Sequence, residues 1–132
     1  MTHPFPAQDF PPYFTAKELC CKHCGEGGMD PAFMDVIVSL RERLDFPFII
    51  SSGYRCKEHP VEVKKKTSGA HPTGRAIDIA VNHDHALRLL QSALNAGIQR
   101  VGVAQKGNTS RRFIHLDAST NPHHRSRAIW SY

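Results

Sequence analysis

Two short segments hold the residues best suited to chemistry. In Ala76-Ile77-Asp78-Ile79-Ala80 a carboxylate sits inside an apolar run of strand-like character. Alternation puts the isoleucines on one face and Asp78 on the other. A buried aspartate is costly unless it is paired or bound to a cation. His71 lies on the loop leading into this strand and is placed to share such a cation. The second segment, Phe113-Ile114-His115-Leu116-Asp117, alternates in the same way, with Phe113, His115 and Asp117 on one face. Two histidines and one carboxylate form a common catalytic zinc set that leaves a fourth position for water. The expected ligands are therefore His71, Asp78 and His115, and the expected cofactor is Zn2+.

These segments resemble a known family. His71-x-x-Gly74-x-Ala76-x-Asp78 followed by Phe113-x-His115-x-Asp117 is similar to the zinc D-alanyl-D-alanine carboxypeptidases and L-alanyl-D-glutamate endopeptidases of bacteria and phages. Upstream, Ser51-Ser52-Gly53-Tyr54-Arg55 is similar to that family's Ser-Gly-Tyr-Arg segment, and Arg127-Ala128-Ile129-Trp130 to its closing Arg-x-x-Trp. The four matches occur in family order from about Thr15 to the C-terminus. The resemblance implies a zinc peptidase acting on the peptide part of peptidoglycan, with Arg55 holding a substrate carboxylate and Ser52 and Tyr54 beside it. A guanidinium fork suits a planar carboxylate. Many family members carry an acid or a histidine as general base three positions before the last ligand, where this chain has Arg112, which cannot accept a proton. Asp117 shares the face of His115 and is either the base or an anchor for a ligand imidazole. Gly69 stands where a serine is common, and Glu58–Val63 lacks the usual Asn and Gly pair. A zinc-stabilised binding domain of the same fold, without catalysis, is the alternative, as the resembling hedgehog signalling domain illustrates.

The supporting elements can be read in outline. At 132 residues the chain is one domain with room for a core. Residues 1–14 are proline-rich and read as an irregular surface arm, with the peptidase domain at 15–132. Thr15 to Glu18 is a capping-box pattern, and Asp30-Pro31 opens a helix with Phe33, Met34, Ile37, Leu40 and Leu44 on its buried face. Phe48-Ile49-Ile50 reads as a short buried strand delivering Ser51 to Arg55. Residues 56–70 read as a polar loop with room for one helical turn. A second helix follows His83, with Leu87, Leu90 and Leu94, and room for Ala86 and Ala93, supplying its apolar face. Strands are expected at 100–104 and 112–117. The class is α+β: helices on a mostly antiparallel sheet, hedgehog/D-Ala-D-Ala-peptidase-like.

Composition removes several alternatives. No stretch approaches the roughly 20 apolar residues of a membrane span. The net charge of +5 is either solubility charge or attraction to an anionic envelope. Nucleic acid is disfavoured, because the charges are scattered apart from Lys64-Lys65-Lys66 and no stacking aromatics lie beside them. The expected partner is a peptidoglycan peptide, taken up by a monomer. Met1 to Pro6 shows no secretory signal, which suits synthesis in the cytoplasm and a phage-encoded lysis enzyme or virion component. That also argues against disulfides among Cys20, Cys21, Cys24 and Cys56. These cysteines are either free thiols or a second, structural metal site, Cys21-Lys22-His23-Cys24 having C-x-x-C spacing.

Overall fold

The computed structural model describes residues 3–132. Thr15 caps the short helix α1 (Ala16–Leu19), and Glu18 returns the bond to complete the capping box. Asp30 accepts from the Ala32 amide at the start of α2 (Pro31–Arg43), whose first position is a proline that has no N–H to satisfy. Phe33, Met34, Ile37 and Leu40 are at most 5% exposed, each burial stabilising the fold by about 1.5–3 kcal/mol. Further along lie β1 (Ile49–Ser52), the single-turn α3 (Pro60–Val63), β2 (Ala76–Ala80), α4 (His83–Asn95), β3 (Arg100–Ala104), β4 (Phe113–Asp117) and β5 (Ala128–Ser131).

The five strands form one sheet in the order β1-β2-β4-β3-β5. The pairings β1–β2, β2–β4 and β3–β4 are antiparallel, while β3–β5 is parallel. Register explains both faces. One transverse row runs Ile77, Leu116, Val101, Ile129, and the next of the same parity runs Ile50, Ile79, Ile114, Val103. Ile77, Ile79, Val101, Ile114 and Leu116 from these rows lie in the core with α2 and α4 residues. The interleaved row runs Ser52, Asp78, His115, Gly102, Trp130, with Asp117 and Arg100 paired one step along on the same face. Strand alternation thus sends the apolar residues into the core and the chemical ones to the opposite surface.

Four details differ from the sequence reading. β1 is an edge strand rather than a buried one, and Ile49 is 63% exposed. In α4 the buried residues are Ala86, Leu89 and Ala93, whereas Leu87 and Leu94 are exposed, because the helix is rotated so that its small residues meet the sheet. β5 was not expected as a strand; it gains its hydrogen bonds by parallel pairing on β3. Within the arm, Phe14 is buried and Phe10 packs against the core, joined to it by an isolated bridge.

Candidate active site

Asp78 and His115 are direct cross-strand partners on β2 and β4, so their side chains leave the sheet together. His71 reaches them from a 3₁₀ turn, His71–Thr73, that ends at Gly74 in the left-handed region with φ 75°. A β-carbon at Gly74 would lie 2.8 Å from the Phe5 ring, so both the turn and the packing require glycine. The three residues are 4–6% exposed. Asp78 Oδ1 lies 2.8 Å from His115 Nδ1 and 3.4 Å from His71 Nε2. The facing atoms of the trio all lie within 4.8 Å of one another.

Each imidazole is pinned by its far nitrogen. His71 Nδ1 donates to the Gly53 carbonyl at 2.7 Å, which leaves Nε2 toward the trio. His115 Nε2 meets Asp117 Oδ2 at 2.6 Å, which leaves Nδ1 toward Asp78. Such outer partners fix the tautomer and aim of metal-binding histidines. Burial alone would raise the Asp78 carboxyl, but hydrogen bonds from His115 and His71 outweigh it and hold the group well below the ordinary carboxylate range. Burial would lower His115, yet its bonds to Asp117 and Asp78 raise it. Two neutral-capable imidazoles and an ionised carboxylate, converging with both rings aimed, are a donor set that fits zinc.

Asp117 is 1% exposed. Its Oδ1 accepts from Arg100 Nε at 2.6 Å and from the Ser119 amide at 3.0 Å, while Oδ2 serves His115. The Arg100 guanidinium lies 5.2 Å from the Trp130 ring, which in turn sits 5.2 Å from His115. Gly102 makes this stack attainable, since a β-carbon there would stand 2.5 Å from the Trp130 indole nitrogen.

The trio opens on a cavity of about 370 Å3 whose wall includes Arg55, Lys65, His124, Trp130 and Tyr132. Arg55 Nη2 lies 3.6 Å from Asp78 Oδ2, Nη1 donates to Glu62 at 3.2 Å, and Nε donates to Ser52 Oγ at 3.0 Å. Ser52 therefore positions Arg55 and does not itself line the cavity. Tyr54 does not line it either: it is 3% exposed, its hydroxyl bonds His3, and burial pushes its phenol up to about 12. Arg112 is turned away, its guanidinium donating to the Gly107 carbonyl. A larger cavity of about 470 Å3 touches Asp30, Arg75 and the other side of Asp117 but none of the trio.

Two residues of the site were not singled out in the sequence: Glu62, which lies behind Arg55, and His124, on the cavity wall. Glu62 is 5% exposed and accepts from Arg55, from Lys65 at 2.9 Å and from the Gly69 amide at 3.1 Å. Burial would raise it, but these bonds lower it. The available signal was a single acid facing Lys64-Lys65-Lys66. His124 bonds Ser119 Oγ through Nδ1 at 2.6 Å and the Ser68 carbonyl through Nε2 at 2.9 Å. Only an N–H can meet that carbonyl, so the lone pair of a neutral His124 is on Nδ1.

A profile of the family described as Peptidase M15 matches residues 12–117, which includes every member of the trio. The chain belongs to the peptidase M15 family. This M15 peptidase is accordingly a hydrolase of the zinc metallopeptidase kind, directed at peptidoglycan. Neither the curated proteins nor the solved structures contain a significant match to it. The family's metal dependence agrees with the trio's donor set and its aimed imidazoles.

Proposed function

We propose that this M15 peptidase cleaves peptidoglycan stem peptides next to a free terminal carboxylate, as a D-alanyl-D-alanine carboxypeptidase does. The observation that carries this reading is Arg55, held by Ser52 and Glu62 on the cavity wall, 3.6 Å from Asp78. A guanidinium so fixed can take a substrate carboxylate at a set distance from the scissile carbonyl. Lys65 on the same wall adds positive charge.

Zinc held by His71, Asp78 and His115 would supply the Lewis-acid chemistry, polarising the peptide carbonyl and making water nucleophilic near neutral pH. The protein's own groups do the rest. Gly53 and Asp117 keep the two imidazoles aimed. Asp117 is a positioning residue, because both its oxygens are spent on His115, Arg100 and Ser119. His124 on the cavity wall is the proton carrier once the Ser119 hydroxyl turns away from Nδ1: that lone pair then takes a proton from the attacking water and returns it to the leaving amine. Trp130 and Phe113 line the cavity and limit access of bulk water.

A second reading, a zinc-stabilised domain without catalysis, draws on one observation. The carboxylates on the cavity wall, Asp78 and Asp117, are both engaged, and Arg112 stands where a base is common. Mass spectrometry of a synthetic stem pentapeptide incubated with the protein separates the two. Release of the terminal D-alanine, blocked when the peptide's C-terminus is amidated, supports the carboxypeptidase. Internal cleavage of both peptides assigns an endopeptidase instead. Intact peptides with zinc fully bound favour the non-catalytic domain.

A further inference from the structure

Three thiols from two distant parts of the chain converge outside the trio. Cys21 and Cys24 flank the turn after α1, and Cys56 follows Arg55. The Cys21 and Cys56 sulfurs are 3.5 Å apart, and His23 Nδ1 lies 3.7 Å from Cys56 Sγ. All three sulfurs lie within 4.8 Å of one another, and none is in a disulfide. A tetrahedral zinc with Zn–S near 2.3 Å and Zn–N near 2.0 Å sets its donor atoms roughly 3.6–3.8 Å apart. The closest pairs here already approach that spacing.

The backbone is arranged for a thiolate. The Cys56 amide donates to the Cys21 sulfur at 3.3 Å. An amide donor at this sulfur stabilises a metal-bound thiolate. The Gly25 amide donates to the Cys21 carbonyl at 2.8 Å with Gly25 at φ 74°, folding the Cys21–Cys24 turn tightly around its sulfurs. Buried cysteines packed merely as small apolar groups would account for a contact between two of them. They would not account for three sulfurs within 4.8 Å of one another and an imidazole nitrogen 3.7 Å from one of them.

We propose that Cys21, His23, Cys24 and Cys56 bind a structural zinc ion. A set of three thiolates and one imidazole is closed, with all four positions taken by protein, as structural zinc sites are. Its place in the fold gives it a role. The Tyr54 amide donates to the Leu19 carbonyl at 2.9 Å, so the end of α1 already lies against the Ser51–Arg55 segment. A metal joining the next turn to Cys56 locks that contact. The locked segment carries the Gly53 carbonyl that aims His71 and the Arg55 guanidinium over Asp78. The second metal thereby supports the catalytic site without touching substrate.

Elemental analysis of the full chain, produced with zinc in the medium, tests this. The expected result is two zinc ions per chain in the wild type, one in His71→Ala and one in Cys24→Ser/Cys56→Ser. A single zinc that is lost in His71→Ala and unchanged by the cysteine substitutions overturns the proposal. If the cysteine variant does not fold, cobalt loading of the wild type decides. Thiolate-to-cobalt charge-transfer absorption is expected, which a His/Asp/His site has no sulfur to produce. Its absence, or a Cys21–Cys56 disulfide in mass spectra of unreduced protein, overturns the site.

Discussion

The two clusters of metal-binding side chains stand on different supports. His115 and Asp78 project from adjacent, fully paired strands, and only His71 comes from a turn. The cysteine cluster stands on two loops, with the Cys56 amide donating to the Cys21 sulfur. The trio faces a cavity, while Cys21 and Cys56 are 0% exposed and line none of the cavities described above. An open site on a rigid sheet suits turnover, because reacting atoms must be held to a fraction of an ångström. A closed site between loops suits stapling, because its value lies in joining segments that little else holds.

Substitution of the trio should produce the largest effect and break the comparison most directly. Asp78→Asn should abolish hydrolysis of wall peptides while the cysteine cluster keeps its metal. Residual activity near the wild-type rate would show that the open site is not the catalytic one. Next in size, His124→Ala should lower kcat by roughly 10²–10⁴-fold, the range of general acid–base catalysis, with zinc content unchanged. An unaltered kcat would remove His124 from the mechanism. Asp117→Asn should act through the metal, weakening zinc binding by about 10–100-fold. Added zinc should restore its rate, which it could not do for a missing base.

How much of this was legible in the sequence depended on local pattern. Alternation in 76–80 and 113–117 placed Asp78 and His115 on one face, and Asp30-Pro31 and the Thr15 box located both helix starts. Their causes are local, so neighbouring residues reveal them. The direction of α4 was legible only in part: Ala86 and Ala93 do face the sheet, but Leu87 and Leu94 turn to solvent because close approach to the sheet favours the small residues. β5 was missed because a strand's place in a parallel pair depends on β3, some thirty residues earlier. Glu62 and His124 were missed for the same reason. Their partners, Arg55 and Ser68, are 7 and 56 residues away, and the loops holding them have no period.

The smallest expected effect concerns the support of Arg55. Glu62 is held below its ordinary value of 4.5 by Lys65, Gly69 and Arg55. A folded-state value below the unfolded one adds stability above about pH 4.5, and that contribution is lost as pH falls through the folded value. Wild type should therefore exceed Glu62→Gln in urea midpoint near pH 7, and the gap should narrow as pH is lowered through 4.5 and below. A constant gap across that range would mean that Glu62 acts through packing rather than charge.

The central claim is that the His71, Asp78 and His115 site performs metal-dependent peptide hydrolysis on peptidoglycan. The most direct test follows cleavage of a stem pentapeptide at any bond, by mass spectrometry, with wild-type protein, then after chelation, then after zinc is returned. Activity should be lost with the metal and restored with zinc, and Asp78→Asn should stay inactive throughout. Cleavage that continues at full rate in the metal-free protein, or a wild type that cleaves no bond while carrying a full complement of zinc, would contradict it.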